Sequence, residues 1–360
     1  MPAYRQNVIL EVARGIKAFL NFEAGLTRGA VPGFGPAQAS QAQNTEQLRR
    51  RLEAKNRQIE ELEMKLSRDR SGAAAGDLKP ENVVWMFGTA RVGSTWLGSM
   101  MDEPTGHTMW HEPLVGALFG SFYYGRGAHR GGKHGILGGS DEKRSRAIRA
   151  FVLAAAHEKF PEITGDGYLV VKEPNGSNGA PLLAQALPES RMIFLVRDPR
   201  DVVSSNLSGK SEGGWSVKAY ERGRRTGTPP PTDPKAIVKQ GARKYLEFIG
   251  RSKEAYDAHQ GPKVLVRYEE LRADTLGTMK HIYSTLGMSV DENEVTRAVE
   301  KHSWENIPED KKGHGKFYRK ATPGGWQEDL TPDQIEVVEK ITGPLLDEFY
   351  PGQRLDRTGV

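Results

Sequence analysis

The chain has no cysteine among its 360 residues. That excludes disulfides, thiolate nucleophiles and Cys-ligated zinc, and leaves the compartment open. No apolar run approaches the roughly 18 residues that a membrane-spanning helix needs. A basic start, an apolar core and a small-residue cleavage site do not follow one another at the N-terminus, so no secretory leader is expected and cytoplasm is the default location. No Asp/His cluster stands at metal-ligand spacing, and no metal is expected. Excess charge is also scarce where it would matter most. Residues 1–76 hold 12 Lys/Arg against 8 Asp/Glu, whereas the remainder holds 39 against 38. A nearly neutral main region offers no global field for nucleic acid, so any anion site must come from local placement.

What is present begins with Val83–Leu97, an apolar run followed by Gly88-Thr89-Ala90-Arg91-Val92-Gly93-Ser94-Thr95 and the start of a helical pattern. The spacing G-x-x-x-x-G-S-T is that of a phosphate loop, with Ser94 where P-loop NTPases carry lysine. Backbone amides and a helix N-terminus make such a loop a phosphate cradle. Arg91 supplies the cation.

Val83–Phe87, Tyr168–Val171, Met192–Val196 and Val264–Val266 are continuous apolar runs alternating with helical stretches. Runs of this kind suit strands buried on both faces of a parallel sheet. They predict a three-layer α/β, P-loop-like fold with ligands at the C-terminal strand ends. Residues 116–147 and 208–234 break the pattern and read as irregular insertions; the second carries Arg222, Arg224, Arg225 and Pro229–Pro231. Ahead of this region, Val8, Ile9, Val12, Ile16, Phe19 and Leu20 predict an amphipathic helix over 4–22, packed on protein or resting on a membrane surface. Leu48, Leu52, Lys55, Ile59, Leu62 and Leu66 step as an a/d seam, predicting an oligomerising coiled coil over 45–70. The expected division is a helix and linker over 1–40, a coiled coil and hinge over 41–76, and the main domain over 77–354.

Four segments in order resemble the sulfotransferases that use 3′-phosphoadenosine 5′-phosphosulfate (PAPS): the Val83–Leu97 loop, Arg191–Ser205, Val264–Leu271 and Phe317–Trp326. The resemblance covers roughly residues 80–350. It implies a soluble enzyme moving a sulfuryl group from PAPS to an acceptor hydroxyl, without metal. By resemblance Arg91, Val92, Gly93, Ser94 and Thr95 take the 5′-phosphate, and Arg197 and Ser205 take the 3′-phosphate. Arg319, Lys320 and Ala321 form the C-terminal phosphate loop, Ala321 standing where the family has glycine. Trp96, Trp304 and Tyr268 match adenine contacts. Arg200 reads instead as a surface or salt-bridge residue.

The catalytic base is the least determined assignment. No histidine stands at the strand end Lys172-Glu173-Pro174-Asn175, where Lys172 fits the family's lysine. His111-Glu112-Pro113-Leu114 resembles the Glu-Pro-Leu of carbohydrate sulfotransferases, which favours Glu112, with Glu173 and His111 behind it. That motif tilts the acceptor towards a sugar or glycolipid. Two other readings stay open: a kinase or NTPase on a related P-loop fold, and a non-catalytic nucleotide-binding scaffold.

Overall fold

The computed structural model describes residues 78–127, 137–163, 166–221, 231–313, 316, 318 and 320–354. The amphipathic helix over 4–22, the coiled coil over 45–70 and Arg319 lie outside the described residues.

Five parallel strands form one sheet: β1 (Val83–Phe87), β2 (His107–His111), β3 (Tyr168–Lys172), β4 (Arg191–Val196) and β5 (Lys263–Arg267). Their order is β2-β3-β1-β4-β5. β1 is central and wholly buried, as its unbroken apolar sequence requires. The chain builds β2 and β3 on one side of β1, then crosses to β4 and β5 on the other. Such a reversal opens a crevice at the C-terminal strand ends, where ligands bind in open α/β sheets.

Around the sheet lie α1 (Ser94–Met101), α2 (Val115–Phe122), α3 (Asp141–Lys159), α4 (Ala180–Ala186), α5 (Pro199–Lys210), α6 (Trp215–Glu221), α7 (Pro234–Ala258) and α8 (Tyr268–Ala273), of which α3 and α4 pack on a sheet face and the other six contribute residues to the crevice. Two cores lie on opposite faces of the sheet. Val84, Met86, Leu97 and Ile193 belong to one; Trp85, Phe87, Leu169, Val171 and Leu183 belong to the other. Alternate residues of β1 therefore feed alternate faces. Among the described residues, no helix is long and apolar enough to cross a membrane.

The structure departs from the sequence reading in three places. β2 was not anticipated. The 116–147 insertion begins with helix α2, and the 208–234 insertion contains α6. Arg200 is a salt-bridge residue but not a surface one: it is 1% exposed, paired with Asp198 at 2.7 Å and with Glu339 at 2.9 Å.

Candidate active site

The loop after β1 leads into α1 through Gly93, whose φ is 98° and which gives no side-chain cap. The Ser94 and Thr95 amides at the start of α1 are thus left for a ligand, at the end of the helix that favours anions, while the Trp96 amide donates to the Gly93 carbonyl at 3.0 Å. A Cβ at Gly93 would stand 2.5 Å from Tyr268 Cδ2, so the Tyr268 ring occupies the space that only glycine leaves. Arg91 Nε donates to Ser205 Oγ at 2.9 Å, tying the phosphate loop to α5. Arg197 lies with its guanidinium carbon 4.2 Å from the Tyr268 ring centroid, and its Nη1 donates to the Arg91 carbonyl at 3.3 Å. Its Nε is buried without a hydrogen-bond partner.

One cavity gathers Arg91, Gly93, Ser94, Thr95, Trp96, Arg197, Ser205, Tyr268, Trp304, Lys320 and Ala321. These come from segments more than 200 positions apart. Of the nucleotide-site residues expected from sequence and lying in described positions, only Val92 is not in its lining; it is fully buried in the core beneath the loop. Trp96 Nε1 donates to the His302 carbonyl at 2.7 Å, and Tyr268 Oη donates to the Ala321 carbonyl at 3.2 Å. Lys320 pairs with Glu328 at 2.7 Å. Asp201 accepts from the Gly324 and Trp326 amides at 2.9 and 3.0 Å, anchoring the C-terminal loop to α5.

Arg272 was missed by the sequence reading. It lines the same cavity, its guanidinium carbon stands 5.3 Å from the Trp96 ring centroid, and its Nε is also buried and unpartnered. The available signal was its position one helical turn after Tyr268. Two orphaned guanidinium donors, an uncapped helix end and flanking indoles are a donor set that fits a nucleotide carrying separated anionic groups.

A second cleft, about 1140 Å³ in volume, shares Arg91, Ser94 and Thr95 with the first. His111, Glu112, Asn175, Asn178 and Asn206 line it. At the junction, Lys172 Nζ donates to Glu112 Oε1 at 2.7 Å and to Thr95 Oγ1 at 3.3 Å. Asn175 Nδ2 donates to Glu112 Oε2 at 2.9 Å. Burial pushes the Glu112 carboxyl up, but the hydrogen bonds from Lys172 and Asn175 and the Lys172 charge outweigh it and hold it below its ordinary value. Burial, then the Lys172 charge, hold the His111 imidazole down, so it is neutral near pH 7.

Comparison with known proteins adds to this geometry. The sulfotransferase domain family model matches residues 81–350. The chain belongs to the sulfotransferase domain family. Curated relatives of that family include rat sulfotransferase 2A6, 24% identical over 181 residues, covering 46% of this chain and 59% of the relative. Zebrafish carbohydrate sulfotransferase 1 is 24% identical over 160 residues, covering 44% of this chain and 37% of that protein. The chain thus spans 59% of the length of rat sulfotransferases 2A6 and 2A1. Among solved structures, mouse sulfotransferase SULT7A1 complexed with PAP gives a TM-score of 0.46 at 14% identity, over 76% of this chain and 88% of that one.

In this family member Glu173 occupies a different place from the one a base requires. It is 0% exposed and lines neither cavity. Its carboxylate accepts from the Leu114 amide at 3.0 Å and the Gly116 amide at 3.1 Å. Burial pushes its pKa up to about 7, against the pull of those two amides. The four non-glycine residues of positive φ are Arg91, Glu112, Leu114 and Ala321, at 74°, 49°, 59° and 52°, among the described residues. All four belong to the 88–95 loop, the 320–322 segment or the Glu112 turn. Each conformation costs about 1–2 kcal/mol and persists only where surrounding contacts impose it. Glu173 supplies two such contacts for the Glu112 turn.

Proposed function

We propose that the chain is a PAPS-dependent sulfotransferase acting on a polar, hydroxyl-bearing acceptor of carbohydrate type. The observation that carries this is the junction at Arg91, Ser94 and Thr95, where a cation-rich, indole-flanked cavity opens into a wide cleft in which polar and charged residues outnumber apolar ones and which holds Glu112. PAPS, when bound, supplies the sulfuryl group. The acceptor oxygen bonds to sulfur as the bridging S–O bond breaks, and the electron pair departs on the 5′-phosphate.

Arg91 and the Ser94 and Thr95 amides of α1 stabilise the departing phosphate electrostatically; a guanidinium does not readily give up a proton, so Arg91 acts by charge. Arg197 and Ser205 hold the 3′-phosphate. Glu112 takes the acceptor proton. Each of its oxygens receives one hydrogen bond and retains lone-pair capacity for the hydroxyl. Lys172 keeps Glu112 ionised and ties it to Thr95 in the phosphate loop. Glu173 positions the turn that presents Glu112.

Transfer from radiolabelled PAPS to a panel of oligosaccharides and a hydroxysteroid tests the reading. Glu112→Gln should lower turnover roughly 10²-fold or more, with affinity for adenosine 3′,5′-bisphosphate nearly unchanged. Near-normal turnover would remove Glu112 as the base and leave His111, the other basic group lining the cleft beside it. ATP turnover with Mg²⁺ and none with PAPS would favour the kinase reading.

A further inference from the structure

The acceptor cleft has an uneven charge that the transfer chemistry does not require. Arg91, Lys210, Lys239, Arg243 and Lys244 line it, against the acids Glu112 and Glu247. Glu112 is already paired with Lys172. The described domain lies in a region almost balanced in charge, so this excess is a product of placement rather than of composition.

Most of it comes from one face of α7. Asp233 caps the helix through the Lys235 and Ala236 amides, and Ile237, Val238, Ala242 and Tyr245 bury the opposite face. That fixes Lys239, Arg243 and Lys244 outward, all exposed. Lys235, Lys239 and Arg243 repeat at i, i+4, i+8. Like charges at this spacing repel and weaken a helix. Among the described residues neither Lys239 nor Arg243 has an ion-pair partner. A stripe serving only solubility needs no such ladder and gains from interspersed acids.

The stripe also connects to the reaction junction. Lys210 Nζ donates to Gln240 Oε1 at 2.9 Å. Lys244 Nζ reaches Asn175 Oδ1 at 3.5 Å, and Asn175 Nδ2 donates to Glu112. The cations therefore begin beside the base and run outward along the cleft wall.

We infer that the α7 face is a subsite for an oxyanion carried by the acceptor, a carboxylate or an existing sulfate ester set near the hydroxyl that is modified. The inference rests on the sulfotransferase reading and refines its acceptor class to acidic saccharides. Lys239 and Arg243 would contact the anion, and Lys244 would orient Asn175 beside Glu112.

Calorimetry on the full chain separates nucleotide binding from anion binding. Adenosine 3′,5′-bisphosphate binding is measured first; its absence would sink the sulfotransferase reading without touching the cation subsite. A uronic-acid hexasaccharide, a sulfated hexasaccharide of the same backbone and a neutral gluco-hexasaccharide are then titrated separately. At least one acidic probe should bind more tightly than the neutral one, and which one does so distinguishes carboxylate from sulfate. The double variant Lys239→Gln/Arg243→Gln should weaken the acidic probe about five- to tenfold, since exposed ion pairs are individually modest. It should leave the neutral probe and the bisphosphate unchanged. Lys235→Gln, on the same helix but outside the cleft lining, should change none of the three. Equal binding of acidic and neutral probes overturns the inference, and so does an equal loss in Lys235→Gln, which would reduce the effect to nonspecific charge.

Discussion

Replacing Gly93 with alanine tests whether the cavity beside the 88–95 loop is shaped by a rigid wall. Two costs can be worked from the geometry. At φ 98° an alanine pays about 1–2 kcal/mol for left-handed backbone. Its Cβ would also lie 2.5 and 2.8 Å from Tyr268 Cδ2 and Cε2, an overpacking that costs about 1–3 kcal/mol. The ring cannot simply swing aside. Tyr268 is 4% exposed, its hydroxyl donates to Ala321, and Arg197 lies against its face. Gly93→Ala should therefore lose about 2–5 kcal/mol of stability in urea unfolding. Displacing Tyr268 also moves Arg197 and the 320–322 segment, so affinity for adenosine 3′,5′-bisphosphate should fall about tenfold or more by calorimetry. Gly106→Ala is the control. Its φ is 81° with nothing near the added Cβ, so only the backbone cost of about 1–2 kcal/mol applies. If Gly93→Ala lost no more than Gly106→Ala and bound the bisphosphate normally, Tyr268 would not be a rigid wall.

Arg197→Ala should weaken the 3′,5′-bisphosphate far more than adenosine 5′-monophosphate, and equal losses in a binding titration would take Arg197 out of the 3′-phosphate site. Ala321→Gly removes left-handed strain at φ 52° while adding about 0.5–1 kcal/mol of glycine entropy cost; stability and bisphosphate affinity should both stay near wild type in thermal melts with and without ligand. Glu173 gives a pH signature: its folded value of about 7 exceeds the ordinary 4.5, so between those values the folded chain holds a proton the unfolded chain releases, and stability falls as pH rises through the window. Relative to Glu173→Gln, which cannot titrate, the wild type should lose about 3 kcal/mol between pH 4.5 and 7.5 in urea melts; a constant difference would mean that Glu173 is not buried as described.

The sheet was legible where physics leaves few options. Val83–Phe87 and Met192–Val196 are apolar without interruption because both faces of a central parallel strand are covered. β2 was hidden because it is an edge strand. His107-Thr108-Met109-Trp110-His111 pairs only with β3 and is part-exposed, so its composition carries no strand signature. Helix α2 was hidden by its glycines. Val115, Leu118, Phe119 and Phe122 keep helical spacing, but Gly116 and Gly120 interrupt it with poor helix formers. The structure gives those glycines a packing reason: a Cβ would stand 2.1 Å from the Gly176 carbonyl or 2.6 Å from the Gly179 amide, so α2 lies backbone-to-backbone against the 176–179 turn.

The gathering of the residues that line the first cavity was readable because it follows from residue types and short spacings, such as Arg197 and Ser205 on one strand-to-helix unit. The lining of the second cleft depends on direction, which spacing does not encode. Lys172 and Glu173 are adjacent at a strand end, and successive strand side chains point to opposite faces. Strand parity therefore admits only one of them to the cleft. Lys172 reaches Glu112 and Thr95, and Glu173 turns to the amides of Leu114 and Gly116. Glu112 itself sits at φ 49°, a conformation its own sequence does not favour. The buried carboxylate of Glu173 helps hold that turn, 61 residues further along the chain. The direction of Glu112 into the cleft thus follows from a group that is itself sealed from the cleft, and from Lys172 and Asn175 beside it. A reading that ranks carboxylates by their own neighbours in sequence names both glutamates as bases; only the packing separates the one that faces the cleft from the one that holds it there.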